Sequence, residues 1–323
     1  MSNDLGERLI SDAEDLIKSG ASLEDIREAM NAVYRHYKTE LHGCRLSDER
    51  LIKVFSLECL LEERFLPLKN EPIYDENEDI SLPEVIQTEE DCHQALRFIV
   101  HETRKDLSRH FDLRSASLKQ HCIDTSAFVE RLCDKHGITY REFGLSEDLS
   151  PGIFHCFDVV SFNVNGERKS YLVDCTYRQF FTGEQAFVER CGIPYFEGPS
   201  IGCYMMMDEG RKNMAEQLLT NGYIEFTEDV AKTYFDSMVF SGRNGLYYEG
   251  LGKKEINKSD FEPQYTLEEY LTAIDNGGLK EENIGRQIGY LTDTSIKFDS
   301  DEVMPYLSKK GEVQTNSSNK KID

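Results

Sequence analysis

The sequence predicts an α+β fold: one antiparallel sheet, a helical N-terminal region ahead of it and C-terminal helices behind it. Three observations carry that expectation. Apolar residues recur at helical spacing through residues 4–66 and again through 208–241. The β-rich runs are confined to about 138–176 and do not alternate with helices along the chain. Within that stretch Asn165-Gly166 separates two β-rich runs, the strongest short hairpin signal.

The elements follow in order. Gly20 ends a first helical segment, and Ser22 with Asp25 three residues later caps the next. That second segment places Ile26, Met30, Val33 and Tyr37 on one stripe. Ser47 opens a third, with Leu51, Val54, Phe55 and Leu61 on one face and Glu58 among them. Residues 1–66 therefore read as a helical N-terminal region. Residues 67–87 hold three prolines and an acidic cluster, and read as a linker or a long surface excursion. The cluster at 75–79 is ordinary solvated surface, or else a steering patch for a basic partner. Thr88 followed by Glu89, Glu90 and Asp91 starts another helix, with acids at the positive end of its dipole.

From about residue 112 the character changes. "SLKQHCIDTSAFVERLCDKHG" reads as a helix ending at Gly137, and "ITYREF" as a short strand. After a polar loop come the strands "IFHCFDVVSFNV" and "ERKSYLVDCTY", joined by Asn165-Gly166. Helical pattern returns around Gly222, and Thr266 with Glu269 forms a capping box. "GCYMMMDEG" at 202–210 reads as core filler or a methionine patch, and the glycine-rich 241–252 has no nucleotide-binding pattern. A core domain thus spans 88–305, and the polar 306–323 reads as a disordered tail.

Charge and cysteine usage narrow the function. With 37 basic against 60 acidic residues, the net charge of −23 opposes nucleic-acid backbones and anionic lipids. No apolar run approaches the ~20 residues that span a bilayer. No nucleic acid and no membrane are therefore expected as partners. The nine cysteines are odd in number and never spaced as CxxC, which favours reduced thiols and a cytoplasmic place of action. A bacterial effector delivered into a host cytosol would share that composition.

The hairpin supplies a geometric expectation. A two-residue turn pairs Val164 with Glu167, which sets His155 opposite Thr176 and Phe157 opposite Asp174. His155 and Asp174 are then diagonal neighbours on one face, about 7–8 Å apart before their side chains lean together. Cys156 and Cys175 fall on the opposite face. A histidine oriented by a carboxylate is half of a nucleophilic mechanism. Cys122, near the start of the preceding helix, supplies the other half, because a helix N-terminus favours thiolate and offers N–H groups to an oxyanion.

Cys122 at a helix start, His155 leading "HCFDVVSF" and Asp174 in "YLVDCTYRQFF" together resemble the transglutaminase-like branch of the papain-like thiol enzymes. The likeness covers roughly residues 112–182 and is nearest in pattern to glutamine-deamidating bacterial toxins and effectors. It implies a transglutaminase-like (papain-like) core with a Cys122-His155-Asp174 triad, a protein or peptide substrate, no cofactor and no metal. It also implies a supporting glutamine soon after the aspartate, Gln179, with Gln120 as a second supporting or oxyanion-side candidate. The reaction implied is attack on an amide through a thioester, most simply protein glutamine deamidation. Animal-type transglutaminases place Trp beside the nucleophile, and this chain has no Trp, which turns the reading toward hydrolysis.

Plainer readings stand beside each of these. A cysteine peptidase of the same fold, or an inactive protein-binding module, would carry the same pattern. Most cysteines are inert core, and Cys175 reads as one. His121 reads as a surface residue at the helix start, Asp124 as a first-turn acid and Asp158 as a polar strand position. The His-Cys dipeptides 121–122 and 155–156 invite a zinc reading, but strand neighbours His155 and Cys156 point to opposite faces, and no CxxC or HxxxH pair adds ligands.

Overall fold

The computed structural model describes residues 2–41, 48–66, 74–111, 113, 118, 121–145, 155–181, 209–231, 233, 234, 269 and 272. The expectations for Gln120, Thr266, most of 202–210, the loop 241–252 and the tail 306–323 lie outside the described residues.

Three helices come first: α1 (Ser2–Ser19), α2 (Leu23–Leu41) and α3 (Asp48–Phe65). Gly20 takes φ +93° between the first two. The Ser22 hydroxyl accepts the Asp25 N–H at 3.2 Å, which satisfies one of the free donors of α2. Ile10, Ala13 and Ile17, Ile26, Met30 and Val33, and Val54, Leu57 and Leu61 are the buried stripes of the three helices. Residues 74–87 form neither helix nor strand and run along the next helix, where the Gln94 amide donates to the Ser81 carbonyl at 3.1 Å.

Helix α4 (Glu89–Ser108) begins with the expected cap, here a reciprocal one. The Thr88 hydroxyl accepts the Asp91 N–H at 3.2 Å, and Asp91 accepts the Thr88 N–H at 2.8 Å. Helix α5 (Cys122–His136) ends at Gly137, which takes φ +66°. Its Gly137 and Ile138 N–H groups turn back onto Asp134 and Cys133, a Schellman ending that satisfies two free carbonyls.

The sheet has the order β1-β2-β3-β4 with every pairing antiparallel, so the α+β class is observed. Its strands are β1 (Thr139–Leu145), β2 (His155–Val164), β3 (Glu167–Val173) and β4 (Tyr223–Glu225). Asn165 and Gly166 both take positive φ, +54° and +85°, as a tight primed turn requires. Val164 therefore pairs with Glu167, and the register runs to Asp158 opposite Val173.

There the ladder stops, three residues before His155. The expected pairs His155–Thr176 and Phe157–Asp174 do not form. Asp174 leaves the strand because its own carboxylate captures the Thr176 N–H at 3.0 Å, a local turn that competes with the ladder. The chain then closes into a short 3₁₀ turn, Tyr177–Phe180.

β2 is buried on both faces. Phe157 and Val159, with Phe143 and Leu172, join the apolar cluster that also holds Leu218 and Tyr234. Val160, Phe162 and Val164 face the other cluster, built from α4 and α5. Helix α6 (Glu209–Asn221) and strand β4 follow, and β4 was not expected from a pattern that reads as helical throughout.

Gly222 joins α6 to β4 at φ +76°, and its carbonyl accepts the Asp174 N–H at 3.0 Å. A Cβ there would lie 2.7 Å from Val100 Cγ1. Gly222→Ala is expected to destabilise the fold by about 2 kcal/mol through steric overlap and positive-φ strain. The urea unfolding midpoint checks this; an unchanged midpoint would contradict the close packing. Among the described residues, no helix is long and apolar enough to cross a membrane.

Candidate active site

Cys122, His155 and Asp174 come together at one end of the sheet. Cys122 is the first residue of α5, and its N-cap, His121, makes no side-chain cap. The first N–H groups of α5, including that of Cys122, therefore have no capping side chain, and a positive dipole end meets the thiol. The His121 ring instead packs at a tilt against Phe111, 3.9 Å between centroids, with Nδ1 3.6 Å from Asp124 Oδ2.

α5 lies along the face of β2 that carries the even-numbered residues. Its buried stripe is Cys122, Ser126, Val129 and Cys133. The Ser126 hydroxyl donates to Asp158 Oδ2 at 2.9 Å, which sets the alignment of helix and strand. One helical turn before Ser126 is Cys122, and two strand residues before Asp158 is Cys156. These steps are about 6 Å and about 6.6 Å, so the two cysteines meet. Cys156 does face away from His155, as alternation requires, but the face it points to is the one α5 covers. His155, as the first residue of β2, reaches the same sulfur past the end of the strand.

Asp174 holds the imidazole. His155 Nε2–H donates to Asp174 Oδ2 at 3.0 Å, and both side chains are 1 % exposed. Asp174 Oδ1 accepts the Thr176 N–H at 3.0 Å and the Thr176 hydroxyl at 2.9 Å. The Tyr234 hydroxyl donates to Asp174 Oδ2 at 2.8 Å and lies 3.0 Å from His155 Nε2. Gln179 places its amide nitrogen 3.5 Å from His155 Nδ1, a long contact on the ring's other side. Phe180 packs edge-on against the imidazole, 4.7 Å between centroids.

The electrostatics follow from these neighbours. The hydrogen bond from the Cys156 thiol, and then the hydrogen bond and charge of His155, bring the Cys122 thiol down to about 4 against the opposing effect of burial. Burial works to lower His155, but the charge and hydrogen bond of Asp174, with help from Cys122, outweigh it and push the imidazole up to about 9. Near neutrality the site is thus a thiolate–imidazolium pair. Cys156 is raised by its bond to Cys122 and then by burial, so it stays a thiol donor. Burial likewise pushes Cys175 up to about 12. Asp158, read from sequence as a polar strand position, is 1 % exposed, and burial raises its carboxyl well above the usual range.

Tyr234, Cys156 and the double hydrogen bond of Thr176 were not anticipated as parts of the site. Thr176 was visible two residues after Asp174, but Tyr234 lies 60 residues downstream of it with no local pattern to mark it. Tyr234→Phe would leave the carboxylate charge less shared, so the His155 titration midpoint should move above about 9. Imidazole NMR titration reads this directly; an unmoved midpoint would reduce Tyr234 to packing.

Among the described residues no group of three or more His, Cys, Asp or Glu side chains is arranged to hold a metal ion. A cavity of about 190 Å³ between α4 and α5 has Asp124, Thr125 and Phe128 in its lining, around the helix from the thiol, and does not include the triad. Comparisons with protein-family models, curated proteins and solved structures find no match.

Proposed function

We propose that this chain is a cysteine-dependent amide hydrolase with a transglutaminase-like core, acting on protein glutamine side chains through a thioester. The observation that carries the reading is one chain of contacts: Cys122 at the start of α5, His155 against it, and Asp174 3.0 Å from the far imidazole nitrogen. Thiol, base and orienting acid in that order suffice for acyl transfer.

The reaction runs in two halves. The Cys122 thiolate attacks the carboxamide carbon, and the oxyanion that forms faces the free N–H groups at the start of α5. The His155 imidazolium gives its proton to the leaving nitrogen, ammonia departs and a thioester remains. Water then loses a proton to His155 and attacks the thioester. Cys122 is released as thiolate, His155 as imidazolium, and the side chain as a carboxylic acid. Asp174 holds the ring and balances its charge throughout. Gln179 stands 3.5 Å from Nδ1 and supports the imidazolium by turning its amide so that the carbonyl oxygen accepts the Nδ1–H.

The experiment is to incubate the full chain with glutamine-bearing proteins and a primary amine, then follow ammonia and intact mass. Ammonia release with the small mass gain of NH2-to-OH exchange supports deamidation. Amine incorporation would indicate transamidation, chain fragments would indicate a peptidase, and no product of any kind would favour a binding module.

A further inference from the structure

The Cys122 thiolate has a second thiol beside it that the amide chemistry does not consume. We propose that Cys122 and Cys156 form a dithiol site that hydrogen peroxide converts to a reversible disulfide. The inference is independent of which acyl-transfer reaction the site performs.

The Ser126–Asp158 hydrogen bond, 2.9 Å and buried, pins α5 to β2 at a single register. One turn back along the helix and two residues back along the strand, Cys122 and Cys156 face each other with their side chains in contact. Both are free and buried, at 4 % and 3 % exposure. Thiols already in contact need only a short approach of the two sulfurs to reach the ~2.05 Å bond of a disulfide. Among the described residues the other buried cysteines, Cys92, Cys133 and Cys175, are poorly placed: Cys92, near the start of α4, lies against Tyr171 of β3. Cys133 is 11 residues along the same helix, about 16 Å away, and Cys175 lies against Thr103 and Arg104 of α4.

The chemistry closes without a further reactant. The Cys122 thiolate attacks one peroxide oxygen, an S–O bond forms and the O–O bond breaks. Hydroxide leaves and takes up a proton as water, and Cys122 becomes a sulfenic acid. The Cys156 sulfur then attacks the sulfenic sulfur. The S–S bond forms, the S–O bond breaks, and the hydroxyl leaves with the thiol proton as a second water. Two thiols lose two electrons in total, and one hydrogen peroxide becomes two waters. The disulfide removes the nucleophile while it lasts. It also shields Cys122 from further oxidation to the sulfinic acid, which thiol reductants do not reverse.

The test reads sulfur chemistry by mass, apart from any amide turnover. The full chain is treated with hydrogen peroxide, free thiols are blocked with iodoacetamide, and proteolytic peptides are mapped without reduction. The expected product is the Cys122 peptide joined to the Cys156 peptide, with Cys122 alkylation restored by dithiothreitol. In Cys156→Ala, and separately in the milder Cys156→Ser, the same dose should leave Cys122 as sulfinic acid. The fraction not recovered by dithiothreitol should rise about 10-fold in either variant. Sulfinic acid at Cys122 in the wild type without the joined peptide would overturn the proposal. So would a disulfide from Cys122 to any other cysteine, or full recovery in both variants.

Discussion

Under the proposed reaction, Cys122→Ala is expected to abolish ammonia release, and Cys122→Ser to leave about one part in 10³ or less. The serine variant is the more telling of the two. It keeps the volume of the side chain and a hydrogen-bonding group against Cys156 and His155. What it loses is the ability to stand as an anion, since a hydroxyl is far less acidic than a thiol brought down to about 4. A module that uses the site only for binding would tolerate serine. Side-by-side ammonia assays, with far-UV circular dichroism to show that the variants fold, decide the matter. Retention of a tenth of the wild-type rate by the serine variant would contradict a thiolate nucleophile.

Asp174→Asn is expected to lower turnover by about 10³ to 10⁴. The carboxylate accepts from four donors: the Thr176 N–H, the Thr176 hydroxyl, the Tyr234 hydroxyl and His155 Nε2–H. Each oxygen accepts two of these, so whichever way an asparagine amide turns, two donors meet its NH2 group and the network that holds the imidazole is broken. The sign for His155 is clear. Asp174 is what raises it to about 9 against burial, so its pKa falls in the variant, and the thiolate loses its cationic partner. The alkaline limb of the turnover profile therefore moves to lower pH. Removing one member of a buried pair also weakens folding by about 3–5 kcal/mol, so rates must be measured on protein shown to be folded. An unshifted alkaline limb in a folded variant would contradict the assigned role of Asp174.

The hairpin was legible because an Asn-Gly turn admits few registers, and the strands around it are half-polar at one end only. The starts of α2 and α4 were legible because Ser22 with Asp25 and Thr88 with Asp91 carry their caps locally. The meeting of His155 and Asp174 was legible too, although by a different route. The ladder was expected to carry them together, whereas the carboxylate turns out of the strand and meets the ring from an adjoining turn. Strand β4 was hidden because three residues after a helix have no periodicity of their own, and Gly222 reads equally as a helix stop. Tyr234 was hidden because its partner lies far away in sequence. Cys156 was assigned the correct face, but strand alternation alone does not say which helix covers that face.

The central claim is that Cys122 is a thiolate well below the pH at which ordinary thiols ionise. At about pH 5.5 an ordinary thiol is ionised to roughly one part in 10³, and Cys122 almost fully. Its lower basicity makes each thiolate about 100-fold less nucleophilic, so a net advantage of about 10-fold remains. The direct measurement is the rate of iodoacetamide alkylation at Cys122, followed by peptide mass across pH 3–10. The account predicts a rise through about 4 and then a plateau across neutrality. A rate that stays low and rises only near 9, as for an isolated thiol, would contradict it.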